Sequence, residues 1–398
     1  MSGQELPSGA SVVIVGAGVT GLSTAWWLAR SGVSVVVLDK GVIGMEASGR
    51  NGGGCSHYQS PLFAEEQRLW PMMDELLGYP TEHQSGKIIF GITEQQVDYY
   101  KYIAKCIRAH GARVDDLNGD DIRRLVPLAG DNALAGFRAY TGGQANPQRT
   151  VQAYAWALRD HGGQVFQHTP AIGFERAADG KVLSVITPRG TIGCDHVLLA
   201  SGPNLPQLAA LLDIDVPAAP ARAEMIVTEP CPLMDLRGVD GNGLYGRQTA
   251  RGNLAYGGGP HEWMPDLEPD GPKARPTTPL VRNLAARVAG LFPKAAHLRV
   301  IRSWAGVVET TPDGRPILDR LEHPGNVTIA TMSGVGFGLS PASGHALRDL
   351  IVDGACSFTD ISKLRLSRFE GLDPDWRRQK GWIHAVAQEF TGQAALAS

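Results

Sequence analysis

No CxxC pair occurs in the chain, and its five cysteines (Cys55, Cys106, Cys194, Cys231 and Cys356) lie far apart. That scatter argues against structural zinc, offers no metal site, and suits a reducing, cytoplasmic compartment rather than a disulfide framework. An excess of one charge is also missing. The 37 Lys and Arg against 40 Asp and Glu leave a net charge of −3, so the bulk electrostatics ask for no nucleic acid. The N-terminus, MSGQELPSGA, lacks the charged-then-apolar layout of a signal peptide. The apolar stretch after it is broken by Gly16, Gly18, Gly21 and Arg30, so it is no membrane span. What remains is the composition of a soluble globular protein, 43% hydrophobic and 19% charged. Its 398 residues suffice for two domains or one large one, with a core that needs no disulfides.

The first informative stretch is SVVIVGAGVTGLSTAWWLARSGVSVVVLDK, residues 11–40. Ser11 to Val15 form a Val/Ile-rich run suited to a strand buried on both faces. Gly16, Gly18 and Gly21 follow, then apolar residues at helical spacing from Leu22 to Ala29, and a second apolar strand from Val33 to Leu38. Each glycine has a distinct task. Gly16 allows the tight turn, Gly18 lets the backbone approach a pyrophosphate, and Gly21 lets helix and strand pack closely. The helix N-terminus then offers free N–H groups to the phosphates. Asp39, at the tip of the second strand, is placed to accept hydrogen bonds from ribose hydroxyls and to repel a 2′-phosphate. The motif alone does not separate FAD from NAD.

The next segment, GVIGMEASGRNGGGCSHYQS, is too rich in glycine for a stable helix. It suits close wrapping around a flat ring or a second phosphate. Here the chain resembles a family. ASGRNGGG after VVVLDKG is similar to the flavin-contacting segment of the D-amino-acid oxidase superfamily, in the branch of glycine oxidases, sarcosine and opine oxidase β subunits and D-hydroxyproline dehydrogenases. Three later segments agree in order: CDHVLLASGPNLPQLAALL (194–212), RSWAGVVETTPDGRPIL (302–318) and NVTIATMSGVGFGLSPASGHALRDLI (326–351). In the last of these, Val327–Ala330 reads as a strand, Gly334, Gly336 and Gly338 as a second close-approach turn, and Ser343–Ile351 as a helix.

The resemblance implies an α/β protein with a Rossmann-like FAD-binding domain in three pieces, 1–85, 145–220 and 300–370. It is interleaved with an antiparallel-sheet α+β substrate domain, 86–144 and 221–299, where AEMIVTE, GLYGRQT and NLAYGGG alternate apolar and polar residues. A loop at His261–Pro279, rich in Pro, Asp and Glu, reads as a mobile cover. Residues 371–398 form a C-terminal extension with Trp376, Trp382 and Ile383 on a sticky face.

The implied cofactor is non-covalent FAD. The residues matched to it are Gly16, Gly18, Gly21, Asp39, Lys40, Ser48, Gly49, Arg50, Asn51, Gly52, Gly53, Gly202, Gly334, Gly336, Phe337, Gly338, Leu339 and Ser340. The implied reaction is oxidation of an amino-acid-type amine, by hydride transfer from the α-carbon and hydrolysis of the imine. Such a site needs a cation for the substrate carboxylate. The chain departs from the family at the expected positions. Val307–Val308–Glu309 stands where glycine-oxidase-like members carry Arg, and Cys55–Ser56–His57–Tyr58 stands where β subunits take one. Pro147 replaces the His that tethers a second flavin in β subunits. The oxygen-activating Lys is absent from GNLAYGGG, which favours a dehydrogenase. The remaining substrate-side candidates are His57, Tyr58, Tyr245, Arg247 and Glu309, with Arg222 behind them. Tyr245 and Arg247 alternate onto one strand face, and Glu309 is a partner for a cationic amine. The expected partners are a small amine or amino acid and either a partner subunit or a second copy. The competing readings are a flavin-binding regulatory subunit without turnover and a tRNA-modifying flavoprotein.

Overall fold

The computed structural model describes residues 5–259, 261–264 and 275–376. Two sheets organise the chain. At the centre of the first lies the opening strand Gly9–Val15, parallel to Val35–Leu38 on one side and to Gly190–Leu199 on the other. Gln164–Phe166 extends the sheet beyond Val35–Leu38, and Val327–Thr331 extends it beyond Gly190–Leu199. Both additions are parallel, while Ile317–Arg320 closes the edge antiparallel. The all-apolar strands have a simple cause. Val12, Ile14, Val35 and Val37 face a helical layer, while Val13, Val15, Val36 and Leu38 face a second buried cluster. A strand covered on both faces has no polar position to spare.

The helical layer contains the first helix, Val19–Arg30, and the closing helix, Gly336–Val352. The closing helix begins seven residues before the sequence-expected Ser343. Glycine and Pro341 would weaken these first turns in isolation, but side chains from neighbouring helices hold their carbonyls. Trp70 Nε1 donates to Gly338 O at 2.7 Å, Ser23 Oγ to Ser340 O at 2.7 Å, and Trp27 Nε1 to Pro341 O at 3.1 Å. Likewise the glycine-rich segment does contain one helical turn, Ala47–Arg50.

The second sheet is antiparallel except where Val239–Gly241 runs parallel to Lys87–Gly91. Its long strand Ala219–Pro230 pairs with Val300–Thr310, Asn253–Gly258 and the short Glu262–Trp263. Leu244–Gln248 pairs with Asn253–Gly258, so the three alternating segments all form strands. Helix Glu94–Ala109 covers one face, its N-terminus capped by Thr93, whose hydroxyl accepts the Gln96 N–H. Of the loop read as a cover, Glu262–Trp263 is a strand and Pro279 lies in the helix Thr278–Leu291; residues 265–274 lie outside the described residues. Of the C-terminal extension, Trp376 is buried against Ala219 and stands edge-on to Trp263, with ring centres 6.3 Å apart. Trp382 and Ile383 lie outside the described residues. Among the described residues no helix is long and apolar enough to cross a membrane, and no group of three or more His, Cys, Asp or Glu could hold a metal ion.

Candidate active site

The glycine turn after the opening strand has two glycines that the chain itself requires. Gly16 has φ +115°, and a Cβ there would stand 2.3 Å from Ala200 O. A Cβ on Gly21 would meet Gly16 O at 2.0 Å, which fixes the close packing of helix on turn. Gly18 differs. Its backbone is extended, with φ −72° and ψ 176°, and the nearest atom to a Cβ would be Ser48 Oγ at 3.1 Å. Neither backbone angle nor packing demands glycine there, so the turn leaves room for something outside the chain.

The helix N-terminus behind this turn is capped from a distance: the Val19 N–H donates to Ser48 Oγ at 2.9 Å. Asp39 Oδ2 accepts the Ala17 N–H and Oδ1 the Gly41 N–H, both at 2.7 Å. The expected ribose ligand therefore also locks the turn to the second strand, and each oxygen keeps further lone-pair capacity. Lys40 Nζ reaches Asn204 Oδ1 at 3.0 Å, tying that strand end to the turn at Gly202.

The segment 48–54 is pinned on every side. Gly49 abuts Gly44 O and Gln148. Arg50 donates to Met45 O and Ala305 O, and its own carbonyl accepts the Trp304 indole N–H at 2.8 Å. Asn51 donates to Ala47 O and Ser48 O and accepts from Gly53 N. Gly53 has φ +85°, and its Cβ would lie 2.1 Å from Ala145 O. At Gly54, in contrast, a Cβ would meet nothing within 4 Å. The turns at Gly202 and Gly334 are equally open: a Cβ would find only Glu309 Oε2 at 3.6 Å in the first and nothing in the second. Both have positive φ, +55° and +80°, so there the backbone itself favours glycine. Gly336 abuts Met332. Phe337, Leu339 and Ser340 turn their side chains into the helical core, Phe337 against Trp70 at 5.6 Å, so their backbone is what this turn offers a ligand.

On the substrate side, Tyr245 and Arg247 share one face, as the alternation requires. Tyr245 Cδ2 stands 3.0 Å from a Cβ on Gly52, and Tyr245 OH lies 3.2 Å from His261 Nε2. Arg247 Nη1 donates to Gly52 O at 2.8 Å, and no carboxylate lies within ion-pair distance of it among the described residues. Burial pulls its guanidinium down to about 10. Tyr58 packs with the second-sheet cluster of Phe63 and Phe137. Glu309 is buried: its Oε1 accepts from Met332 N at 2.9 Å and Thr331 Oγ1 at 3.1 Å, its Oε2 faces the open turn at Gly202, and burial raises its pKa. Arg222 is engaged by Glu224 and Glu262. Sequence reasoning also missed Glu66. This fully buried carboxylate takes His57 Nδ1 at 2.7 Å and His57 N at 2.9 Å. Their separation of nine residues matches neither helix nor strand period, so no pattern could have paired them.

A two-strand, glycine-turn α/β unit with further glycine turns whose Cβ positions are open defines a dinucleotide-binding protein. The chain belongs to the FAD dependent oxidoreductase family (DAO), whose profile matches residues 11–350. It is 30% identical over 375 residues to the sarcosine oxidase β chain of Rhizobium meliloti (strain 1021), covering 90% of this chain and 88% of that one. An opine oxidase subunit of Rhizobium meliloti is 27% identical over 365 residues, covering 84% and 91%. Among solved structures, L-proline dehydrogenase from P. horikoshii superposes with a TM-score of 0.83 over 92% of this chain and 99% of that one, at 24% identity. The cofactor is accordingly FAD, and the donor set fits it. The glycine whose Cβ the chain would tolerate at Gly18 lies at the helix N-terminus, beside the Asp39 carboxylate, as an adenine dinucleotide requires.

Proposed function

We propose that the protein oxidises an amino-acid-type amine, such as sarcosine, a D-amino acid, D-hydroxyproline or an opine-like secondary amine. FAD, held without a covalent link, would supply the acceptor for the α-hydrogen as hydride, with water hydrolysing the substrate imine. The single observation that carries this reading is Arg247. It is a partly buried guanidinium with no carboxylate within ion-pair distance among the described residues, set behind the Gly52–Gly53 backbone of the glycine-rich segment. A partly buried cation with no ion-pair partner favours binding an anion, and a substrate carboxylate supplies one. Tyr245 beside it supplies an aromatic wall and, with His261, a polar edge. Two named relatives are subunits of oxidases, which supports a partner subunit or a second copy here as well. All five cysteines are free, which supports a reducing cytoplasmic setting. The test is an absorption spectrum of the purified protein, followed by anaerobic addition of a panel of these amines. Flavin bands that bleach with one amine are expected. Flavin that no amine bleaches would overturn the reading.

A further inference from the structure

We propose that His57 is the base that takes the proton from the substrate ammonium group, with Glu66 as its positioning residue; this rests on the amine-oxidation reading above. An amino-acid amine is protonated near neutral pH and has no lone pair with which to expel the α-hydrogen. A proton acceptor beside the amine removes that block.

The ring of His57 is placed for this task. Its Nδ1 lies 2.7 Å from Glu66 Oε1, and its backbone N–H donates to Glu66 Oε2 at 2.9 Å, so one carboxylate fixes both the main chain and the ring. Gln67 Nε2 adds a third donor to Glu66 at 3.2 Å. An acceptor carboxylate on Nδ1 sets the tautomer with its proton there, leaving the Nε2 lone pair outward. Nε2 has no hydrogen-bond partner among the described residues, and the side chain is 22% exposed. The ring is wedged where two cofactor segments meet. A Cβ on Gly338 would stand 2.2 Å from His57 Cε1 and 2.5 Å from Gly54 O, so the first turn of the closing helix carries glycine to admit this ring. Gly54 itself opens on unfilled space.

Few charged groups face the ring. From the helix Phe63–Leu69 only Glu66 faces the ring; Glu65 is turned to Arg68 and His345. The first turn of the closing helix, Gly336–Ser340, brings no ionisable side chain. On the ring's own segment the Cys55 thiol is pushed well up by burial and stays neutral, with Lys87 and Arg247 acting on it from the sheet side. In the step itself one substrate N–H bond breaks and one Nε2–H bond forms. The nitrogen keeps the electron pair, which becomes the C=N bond as the α-hydrogen leaves with two electrons to FAD. The imidazolium proton then passes to water through the exposed ring edge.

The experiment uses the FAD-loaded protein and its H57Q and E66Q variants. Anaerobic flavin reduction by sarcosine, D-alanine and D-hydroxyproline is followed from pH 6 to pH 10, with acetate binding read from the perturbed flavin spectrum. Glutamine at 57 keeps a donor for Glu66 but has no basic nitrogen. The expected result is a loss of roughly 100-fold in reduction rate at pH 7. The H57Q rate should recover about tenfold per pH unit until it nears wild type at about pH 9, with acetate affinity unchanged. E66Q should move the acid limb of the profile to lower pH, because the imidazolium loses its counter-charge. An H57Q profile parallel to wild type, or a pH-independent loss accompanied by weakened acetate binding, would overturn the base. A wild-type flavin that no amine reduces would instead overturn the amine-oxidation reading, and the base with it.

Discussion

Gly18→Ala separates what the fold needs from what the cofactor needs. The backbone at Gly18 is extended, so alanine fits it without strain, and the one close neighbour, Ser48 Oγ at 3.1 Å, has to yield by a few tenths of an ångström. Stiffening the unfolded chain stabilises by about 0.4–1 kcal/mol, so the apoprotein should change by no more than about 1 kcal/mol in either direction. The holoprotein should behave differently. A methyl group at this position would intrude on the space at the helix N-terminus where a pyrophosphate would bind, and each lost hydrogen bond to a charged oxygen costs about 1.5–3 kcal/mol. FAD binding should therefore weaken roughly tenfold to a hundredfold per lost bond. Gly16→Ala is the control. Its φ of +115° and a 2.3 Å approach to Ala200 O make it a folding mutation. Positive φ costs about 1–2 kcal/mol and overpacking about 1–3 kcal/mol. The assay is denaturant unfolding of the apoproteins together with FAD titration by fluorescence quenching. An unchanged FAD affinity in Gly18→Ala, or apoprotein loss equal to that of Gly16→Ala, would refute the assignment of the open space to the cofactor.

Other consequences are equally specific. Arg247→Met should raise KM for carboxylate-bearing amines by roughly 100-fold, the scale of a truncated buried charge pair, while leaving a carboxylate-free amine unaffected; steady-state kinetics with both substrates decides. Ser48→Ala removes the remote cap on Val19 and should cost about 1 kcal/mol in chemical unfolding; no loss would mean that solvent caps the helix as well. His196 is buried, with Nε2 2.8 Å from Thr328 Oγ1, and burial with Arg320 nearby lowers its pKa from 6.5 to about 4. The unfolded chain binds this proton first, so stability is full above pH 6.5, falls as pH drops toward 4 and then levels. The loss should be about 3 kcal/mol. His196→Gln should flatten that limb of a melting-temperature profile taken from pH 7 to pH 4.

What the sequence made legible was local. Gly16, Gly18, Gly21 and Asp39 fall within one strand–turn–helix–strand unit, where spacing alone dictates geometry. Tyr245 and Arg247 share a face because side-chain alternation in a strand is strict. What stayed hidden depended on distant parts of the chain. The closing helix starts at Gly336 rather than Ser343 because Trp70, Ser23 and Trp27 satisfy its carbonyls, and none of these is near in sequence. The hold of Thr331 and Met332 on one oxygen of Glu309 is equally invisible in the sequence, since 22 and 23 residues separate them from it. Glu66 and Gly338 gained meaning only when His57 was found between them.

The strand order of the first sheet bears on how the protein is made. Gly9–Val15 is synthesised well before Gly190–Leu199 covers its second edge, and the turn at Gly334–Ser340 arrives later still. A growing chain therefore carries open sheet edges until Gly190–Leu199 and Val327–Thr331 have both been made. Once complete, the fold is stabilised by flavin through mass action. Cells short of riboflavin should therefore lose this protein by degradation of its apo form before they lose it by slowed catalysis.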